Sequence, residues 1–300
     1  MAGTETPRPW SGRTDGLPWM YRALVGMLRV VDRRVVYAVM ALVVPFYMLF
    51  SHQGYLACYR FFRRQMEMGP FKAFCHVYRN HFVFGQIIID RMVVYAGKPF
   101  RCTVDDNEAF ARLSAAPEGF VQLSSHVGNF EMAGYSLSSG KPVNSLVFGG
   151  EKDTLMAFRE RVLSEHNVRL IKAGNDMGHI FAMSAALDRG EIVSMAGDRL
   201  LGSAKTLTCE FFGTPAAFPM GPFALAVQKN VPLLALFSMK ERGGYRTFVR
   251  QLARPAGFEA LKTREQMQVM AQLFANELEA VLRRYPDQWF NYYDFWKPIA

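Results

Sequence analysis

The sequence predicts an α/β fold, in which a mostly parallel central sheet is flanked by helices and follows an N-terminal membrane-associated helical segment. From residue 119 onward, short apolar runs alternate with helical patterns, which is typical of strand–helix–strand units around a parallel sheet. Before that point lie an apolar stretch and a block rich in basic and aromatic residues. We therefore divide the chain into a disordered tail (1–18), a membrane-anchoring helical region (19–100) and an α/β domain (101–300).

Composition and charge restrict the classes of function. The 300 residues are 50% hydrophobic and carry a formal net charge of +9, which suits one substantial core and an anionic partner or surface. The four cysteines form no C-x-x-C pair, so we interpret them as reduced core thiols of a cytosol-facing protein. No cluster of His, Cys and acidic residues predicts a metal site. Basic residues are spread among apolar ones rather than gathered on one face, which argues against a nucleic-acid binder.

The N-terminal region has three parts. Residues 1–18 are rich in Pro, Gly and Thr, which predicts disorder rather than a signal peptide. The sixteen residues Val35–Phe50 would form a helix of about 24 Å, shorter than the ~30 Å hydrocarbon core, and Pro45 would kink it. A membrane span, a helix in the interface and a buried soluble helix all stay open, and the basic residues before it place its N-terminal end on the cytoplasmic side. The block Gly54–Ala96 mixes basic and bulky apolar residues, as on a lipid-bound helix or an ordinary surface helix.

The α/β domain is predicted element by element. Apolar runs predict strands near 120–124, 144–148, 168–172, 192–195, 232–237 and 245–252. Helical patterns cover 153–165, 177–188, 218–229 and 259–284. Polar side chains that follow strands of a parallel sheet gather at its carboxyl edge. His126 and Asp198 each follow a predicted strand, so we expect them to face one cleft.

The stretch Gly119–Ser138 contains the strongest candidate for chemistry. His126 lies on a turn after a strand, Asn129 is expected to cap the next helix with its side chain, and Glu131 falls in the first helical turn. A carboxylate on one imidazole nitrogen fixes the tautomer and leaves the other nitrogen to accept a proton. We predict that Glu131 orients His126 in this way, with the nucleophile supplied by a substrate. The alternative is a strand-end histidine beside a glutamate that only caps its helix.

Two further blocks carry candidate binding residues. In Ala196–Arg199, Gly197 permits a tight turn after a strand, and the guanidinium of Arg199 can hold a phosphate, phosphopantetheine or sugar oxygen. An internal pair between Asp198 and Arg199 is the alternative. The aromatic residues Phe211, Phe212, Phe218 and Phe223, with Met220, suggest either the floor of an apolar tunnel or plain core.

These motifs resemble those of a known family. The pattern His-x4-Glu after a hydrophobic strand (SSHVGNFE, 124–131), AGDRL (196–200) and the segment 211–237 are similar to the late (secondary) lipid A acyltransferases, whose relatives include lysophospholipid acyltransferases. The resemblance runs from about Val30 to the C-terminus. It implies a membrane-bound enzyme that moves a fatty acyl chain from an acyl-carrier-protein or CoA thioester to a hydroxyl of a lipid or glycolipid such as lipid A. It also implies no metal or cofactor, and a bacterial inner-membrane location with the catalytic domain facing the cytoplasm.

The resemblance assigns roles to particular residues. His126 would be the general base with Glu131 as its partner, and Asn129, Asp198 and Arg199 would bind substrate. The basic group Lys152, Arg159 and Arg161 falls where the family has a binding arginine, and we prefer Arg161.

The C-terminal segment, Trp289–Trp296, departs from the family pattern. It suggests a stand-alone relative of the kind found with aryl-polyene or other envelope-lipid clusters, and it leaves the acceptor open. The alternative function is a catalytically inactive scaffold that binds acyl groups or lipids at the membrane.

Overall fold

Four helices precede the first strand. The computed structural model describes residues 18–50, 52–148, 153–174, 177–200 and 205–296, so the tail predicted to be disordered lies outside the described residues except for Pro18. The helices are α1 (Pro18–Val30), α2 (Arg33–Phe50), α3 (His52–Arg64) and α4 (Pro70–Tyr95). Helix α4 has 26 residues and is the common support, because α1, α2 and α3 all pack against it.

The α/β domain is built on a seven-stranded sheet in the order β1-β9-β8-β2-β5-β3-β4. Every neighbouring pair is parallel except β8 with β9. The strands are β1 (Arg101–Asp105), β2 (Phe120–Ser124), β3 (Val143–Phe148), β4 (Val168–Ala173), β5 (Ile192–Ala196), β8 (Leu233–Glu241) and β9 (Gly244–Gln251). The α/β fold with a mostly parallel sheet is therefore confirmed, whereas β1 and the helix after it were not predicted.

Helices cover both faces of this sheet. They are α5 (Glu108–Ala115), α6 (Phe130–Ser136), α7 (Asp153–Ser164), α8 (Gly178–Asp188), α9 (Gly221–Gln228) and α10 (Thr263–Arg284). Phe120 and Ile192 pack on one face with residues of α5 and α6, and Val121 and Leu123 pack on the other with residues of α8, α9 and α10. The central strands are covered on both sides, which explains why they are short, nearly continuous apolar runs.

A hairpin replaces the N-terminal part of the helix predicted over 218–229. Strands β6 (Thr206–Phe211) and β7 (Thr214–Pro219) pair antiparallel and pack on α10, and α9 begins only at Gly221. Phe212 and Gly213 both have positive φ, at 53° and 70°, which is the turn that a two-residue hairpin requires. The rings of Phe211 and Phe218 are fully buried and meet edge to face, so both belong to the core.

Helix α2 presents an apolar surface away from the protein. It has a mean hydropathy of 1.6, and among the described residues it is the one helix long and apolar enough to cross a membrane. It continues through Pro45 to Phe50 and packs on α4 along one side. Its outward side chains include Val35, Val39, Leu42, Val43, Phe46, Leu49 and Phe50.

A buried carboxylate connects α2 and α4 to the sheet. Asp90 of α4 is fully buried and accepts hydrogen bonds from the Tyr37 hydroxyl of α2, the Lys240 ammonium of β8 and the Tyr245 hydroxyl of β9. Burial lowers the pKa of Lys240, and Asp90 opposes that change. Since a buried charge needs a charged or hydrogen-bonded partner, this cluster fixes where α4 and α2 sit on the sheet.

Replacing Asp90 by Leu should destabilise the protein strongly. The change leaves Lys240 without its counter-charge in a largely buried site, which costs about 3–5 kcal/mol. Urea unfolding in detergent would measure it. The matched control is Asp106→Asn, which removes an ion pair between the exposed Asp106 and Arg250 and should cost about 0.2–1 kcal/mol. Equal stability of the two variants would contradict the role given to Asp90.

Candidate active site

Two neighbouring strands bring His126 and Asp198 together. Ser124 at the end of β2 pairs with Ala196 at the end of β5, and each candidate residue lies two positions further along the chain. The Asp198 carboxylate accepts from the backbone N–H of His126 at 2.8 Å and contacts the imidazole Nδ1 at 2.9 Å. The prediction that His126 and Asp198 face one cleft is confirmed.

The turn that carries His126 is held on two sides. The N–H of Gly128 donates to the Gln288 carbonyl at 2.8 Å, and the N–H of Asn129 donates to the Ser238 carbonyl at 2.7 Å. The His126 carbonyl accepts from the N–H of Phe290 at 2.9 Å. Gly128 has φ +60° and lies directly against the Ser238 carbonyl, so any side chain there would displace the turn.

The glycine before Asp198 has a different role from the one predicted. Gly197 does not supply a positive φ. Its N–H donates to the Ser124 carbonyl at 2.8 Å, and an added Cβ would lie 2.7 Å from the ring of Phe274. Close packing of α10, rather than the turn itself, requires glycine at this position.

The electrostatics favour a neutral imidazole. Burial lowers the pKa of His126, the charges of Arg199 and Arg91 lower it further, and Asp198 only partly opposes them. Burial alone would raise the pKa of Asp198, but the contacts with His126 and the charge of Arg199 outweigh it, and the pKa lies below its ordinary value. An ionised carboxylate can only accept, so Nδ1 carries the proton and Nε2 keeps a lone pair. The His126 side chain is 26% exposed, so part of the ring is accessible from outside.

The predicted contact between Glu131 and His126 is wrong. One oxygen of Glu131 lies 3.0 Å from Nε of Arg159 and 3.5 Å from Arg91, and the other accepts from the hydroxyls of Tyr95 and Tyr135 at 3.0 and 3.3 Å. Helix α6 begins at Phe130 and turns this side chain toward α4 and α7. Asp198 takes the position on Nδ1 that we predicted for Glu131, and a catalytic need for Glu131 stays a prediction.

Two arginines surround Glu131 and cover a neighbouring ring. The guanidinium carbons of Arg91 and Arg159 lie 5.1 and 5.6 Å from the centre of the Phe130 ring, whose edge approaches His126 at 6.3 Å between centroids. Burial alone would raise the pKa of Glu131, but the two arginines and the tyrosine hydroxyls outweigh it and lower the pKa. The carboxylate is therefore ionised, and the two arginines leave an excess of one positive charge.

Asn129 does not cap α6 with its side chain. Its carbonyl accepts from the N–H of Met132 at 3.0 Å, and its side-chain oxygen accepts from Nε of Arg91 at 3.3 Å. The residue is fully buried and belongs to the same polar group as Glu131. The predicted helix cap is therefore wrong, and a role of Asn129 in substrate binding stays a prediction.

The arginine preferred from the sequence lies away from the carboxylate. Arg161 is exposed, donates to the Tyr95 carbonyl at 3.3 Å and packs on the ring of Phe158. Arg159 is buried against Glu131 instead, because residues two apart on a helix lie on nearly opposite sides. Lys152, the third member of that basic group, lies outside the described residues.

Arg199 lies at the site and contacts the C-terminal segment. Its guanidinium donates to the Phe290 carbonyl at 3.2 Å and lies 5.9 Å from the ring of Tyr293. Its charge acts on both His126 and Asp198. Asp198 and Arg199 therefore lie in one cluster with His126, and their role in substrate binding stays a prediction.

Sequence reasoning missed Arg91, Tyr95 and Tyr135. A signal existed for the first of them, because Asp90 and Arg91 interrupt the apolar run Ile87–Val94, and charged residues on a buried helix are nearly always paired. The tyrosines carry no such signal, since their hydroxyls reach Glu131 only through tertiary packing. Among the described residues, no group of three or more His, Cys, Asp or Glu is arranged to hold a metal ion.

Comparison with known proteins shows the family. The family model for bacterial lipid A biosynthesis acyltransferases matches residues 89–298, which is more than half of the chain. The chain belongs to this family. No curated protein sequence matches it. Among solved structures, the 1-acyl-sn-glycerophosphate (LPA) acyltransferase PlsC from Thermotoga maritima is similar over 84% of this chain and 99% of its own, with 11% sequence identity and a TM-score of 0.38.

Family membership makes the chain an acyltransferase that acts on lipids, in a family that is membrane-associated. The match starts at Ile89, within α4, whereas the resemblance noted in the sequence begins near Val30. The residues that match the family model include the turn of His126, the Asp198–Arg199 segment and the C-terminal aromatic residues.

The titration of His126 should separate the roles of the two carboxylates. By NMR, we expect His126 to titrate below the ordinary ~6.5, and Asp198→Asn should lower that pKa further because a charge favouring the imidazolium is lost. Glu131→Gln should leave the pKa nearly unchanged, since Glu131 does not contact the ring. A shift with Glu131→Gln and none with Asp198→Asn would reverse the assignment.

Proposed function

We propose that this lipid acyltransferase moves a fatty acyl chain from the thioester of an acyl carrier protein or CoA to a hydroxyl of a membrane lipid or glycolipid, with lipid A as one candidate acceptor. The observation that supports it is the contact between His126 Nδ1 and Asp198, which leaves Nε2 of a neutral, partly exposed imidazole as a base. Among the described residues, no hydroxyl or thiol is hydrogen-bonded to the His126 ring, which suits direct attack by a substrate hydroxyl.

The reaction needs one proton carrier. Nε2 of His126 takes the proton of the acceptor hydroxyl as its oxygen attacks the thioester carbonyl. The tetrahedral intermediate then expels the thiolate, which takes the proton back from the imidazolium, so the products are an ester and a free thiol. Asp198 is a positioning residue, because it fixes the ring and stabilises the imidazolium without touching substrate.

Positive charge beside the imidazole suits the oxyanion of the intermediate. Arg199 is close enough to lower the pKa of His126 and is our first candidate for this role, and Asn129, three residues after His126, is the second. One donor of this kind contributes about 3 kcal/mol to the transition state. Glu131 would act indirectly, by holding Arg91 and Arg159 beside Phe130. Arg161, which is exposed, is our candidate for binding the donor or the acceptor.

The partners follow from charge and apolar surface. The net charge of +9 suits an acidic carrier protein and an anionic bilayer alike. The exposed apolar side of α2 supports our proposal that this helix lies in or on the membrane. We propose a bacterial inner-membrane location with the α/β domain on the cytoplasmic side, where acyl thioesters are available, and no metal or other cofactor.

Transfer assays should rank the site variants. In detergent with an acyl-carrier-protein donor, His126→Ala should lose transfer by about 10²–10⁴-fold, because a general base contributes about that much. Asp198→Asn should lower kcat rather than raise KM, and should move the acid limb of the pH–rate profile to lower pH. Glu131→Gln should lower kcat/KM by about 10–100-fold without moving that limb, as expected for lost charge-assisted hydrogen bonds.

Two control variants test whether the loss of transfer is specific to the site residues. His52→Ala and Glu160→Gln change exposed residues of the same types and should retain full transfer and full stability. Unchanged turnover in His126→Ala would refute the mechanism. If the acid limb of the pH–rate profile falls at the same pH in wild type and in Asp198→Asn, Asp198 has no part in the mechanism.

Mass spectrometry of envelope lipids tests the function in cells. We expect one lipid to lose a single acyl mass both in a deletion strain and in a strain carrying His126→Ala, which would identify acceptor and chain together. A lipid lost in the deletion but present with His126→Ala would indicate the inactive scaffold. An unchanged profile in both strains would refute a lipid acceptor.

A further inference from the structure

Helix α2 carries one continuous apolar stripe on its outward side. Its exposed large apolar side chains recur three or four positions apart along the whole helix, from Val35 to Phe50, which is the spacing of a single helix face. Val44 and Met48, on the inward side, are buried. An exposed apolar surface that extends over a whole helix marks a site of interaction with another protein or with a membrane.

The inward side of α2 is attached to α4 along its length. Near the start of α2, the Tyr37 hydroxyl donates to the buried Asp90 carboxylate. Further along, the Ala41 carbonyl accepts from the Tyr78 hydroxyl of α4 at 3.1 Å, and near the end Met48 is buried in the main core. Later residues of α2 thus contact earlier residues of α4. The two helices therefore lie side by side and antiparallel.

Helix α4 in turn lies along the surface of the α/β domain. In its middle, the Asn80 side chain donates to the Trp289 carbonyl at 2.8 Å. Near its end, the Arg91 guanidinium lies 3.5 Å from the Glu131 carboxylate. Because α4 follows the domain between these two points and α2 follows α4, α2 lies along the domain and does not project from it.

The chain before α2 and the chain after it pack on the same domain. Leu28 of α1 lies in an apolar cluster with Val162 of α7. Phe61 of α3 meets the ring of Trp289 at 5.0 Å between centroids. Short connections join α1 and α3 to α2. A helix that crosses a bilayer would place α1 and α3 on opposite sides of it, and these contacts do not allow that.

We propose that α2 lies in the plane of an anionic membrane surface, with its apolar stripe among the acyl chains of one leaflet, and that it does not cross the bilayer. This inference rests on the proposed membrane location and adds the mode of binding. Exposed basic residues flank the stripe at both ends, with Arg29 and Arg34 before it and Arg60, Arg63 and Arg64 after it. Such flanks are typical of an interfacial helix on anionic lipid, whereas the loops of a span carry most of their positive charge on the cytoplasmic side.

The stripe is attached at the edge of the sheet that carries the candidate active site. The Lys240 ammonium, near the carboxyl end of β8, donates to the Tyr37 hydroxyl at 3.2 Å. Ser238 of the same strand accepts from the N–H of Asn129, in the turn after His126. The proposed membrane surface and the candidate active site therefore belong to the same end of the sheet.

Cysteine labelling tests the topology of α2. Arg29→Cys, before the helix, and His52→Cys, after it, are introduced one at a time into the full-length chain, and the wild type gives the background from its own four cysteines. We expect a membrane-impermeant maleimide to label both variants in inverted inner-membrane vesicles and neither in intact spheroplasts. Labelling of the two variants from opposite sides would establish a span and overturn the proposal.

Vesicle flotation tests which side chains bind. The purified full-length protein is floated with phosphatidylcholine vesicles, with or without phosphatidylglycerol. We expect tighter binding when phosphatidylglycerol is present, and weaker binding when salt is added. The double variant Leu42→Asp, Phe46→Asp should bind about tenfold more weakly or worse, because two large exposed side chains lose their apolar burial.

The matched control for flotation is Leu261→Asp, at the opposite end of the sheet. Leu261 is exposed and follows the segment in which Arg254 donates to the Val231 carbonyl, just before β8 begins. This change adds the same charge to an exposed apolar position away from α2 and should leave vesicle binding unchanged. Circular dichroism of each variant would show that the fold is retained.

Failure of this proposal and failure of the proposed function give different results. If the Leu42→Asp, Phe46→Asp variant floats as wild type does, binding through the stripe is refuted and transfer by His126 is unaffected. If labelling and flotation match our expectation but no donor is transferred, the function is wrong and the mode of binding stands. If wild type floats with neither kind of vesicle but forms dimers that the double variant loses, the stripe binds a second copy of the chain and the proposal is overturned.

Discussion

The double contact of Asp198 with His126 is the constraint that defines the site. One carboxylate accepts from both the backbone and the ring of the histidine, so it sets the turn and the tautomer at once. It can do so because β2 and β5 are adjacent and parallel, with Ser124 beside Ala196. The carboxyl ends of the two neighbouring strands therefore set the distance between His126 and Asp198. The number of residues between them in the sequence does not determine that distance. Burial also keeps the imidazole neutral, and the neutral form is the one that accepts a proton.

Glu131 shows how a carboxylate can belong to a site without touching its base. It is buried and ionised between Arg91 and Arg159, with two tyrosine hydroxyls completing its shell. Removing such a charge would leave two guanidinium groups facing each other. The consequence for the site is a fixed positive region around the Phe130 ring, next to His126, while the surface of Glu131 itself is hidden from substrate.

Features that depend on nearby residues in the chain can be predicted from the sequence, whereas features that depend on tertiary packing cannot. The strands and helices around His126 and Asp198 could be predicted from alternating apolar runs, and their shared cleft from the rule that parallel strands end at one edge. The partner of the imidazole could not, because the five-residue spacing of His126 and Glu131 says nothing about the neighbouring strand. The sequence could have indicated that Arg159, rather than Arg161, is the buried arginine. Met156 and Leu163 form an apolar face on the same side of the helix as Arg159. The hairpin after Thr206 was hidden because Phe212 occupies a turn position that usually selects Asn or Asp.

Helix α4 connects α2, which has an exposed apolar side, to the candidate active site. Asp90 binds α2 through Tyr37 and the sheet through Lys240 and Tyr245. The next residue, Arg91, reaches Asn129 and Glu131 on the other side of the same helix turn. Two consecutive residues of α4 therefore connect α2 to the turn that carries His126. Asp90 and Lys240 form a buried ion pair between α4 and β8, and Tyr37 of α2 donates to the same carboxylate, so α2, α4 and the sheet share one buried polar cluster.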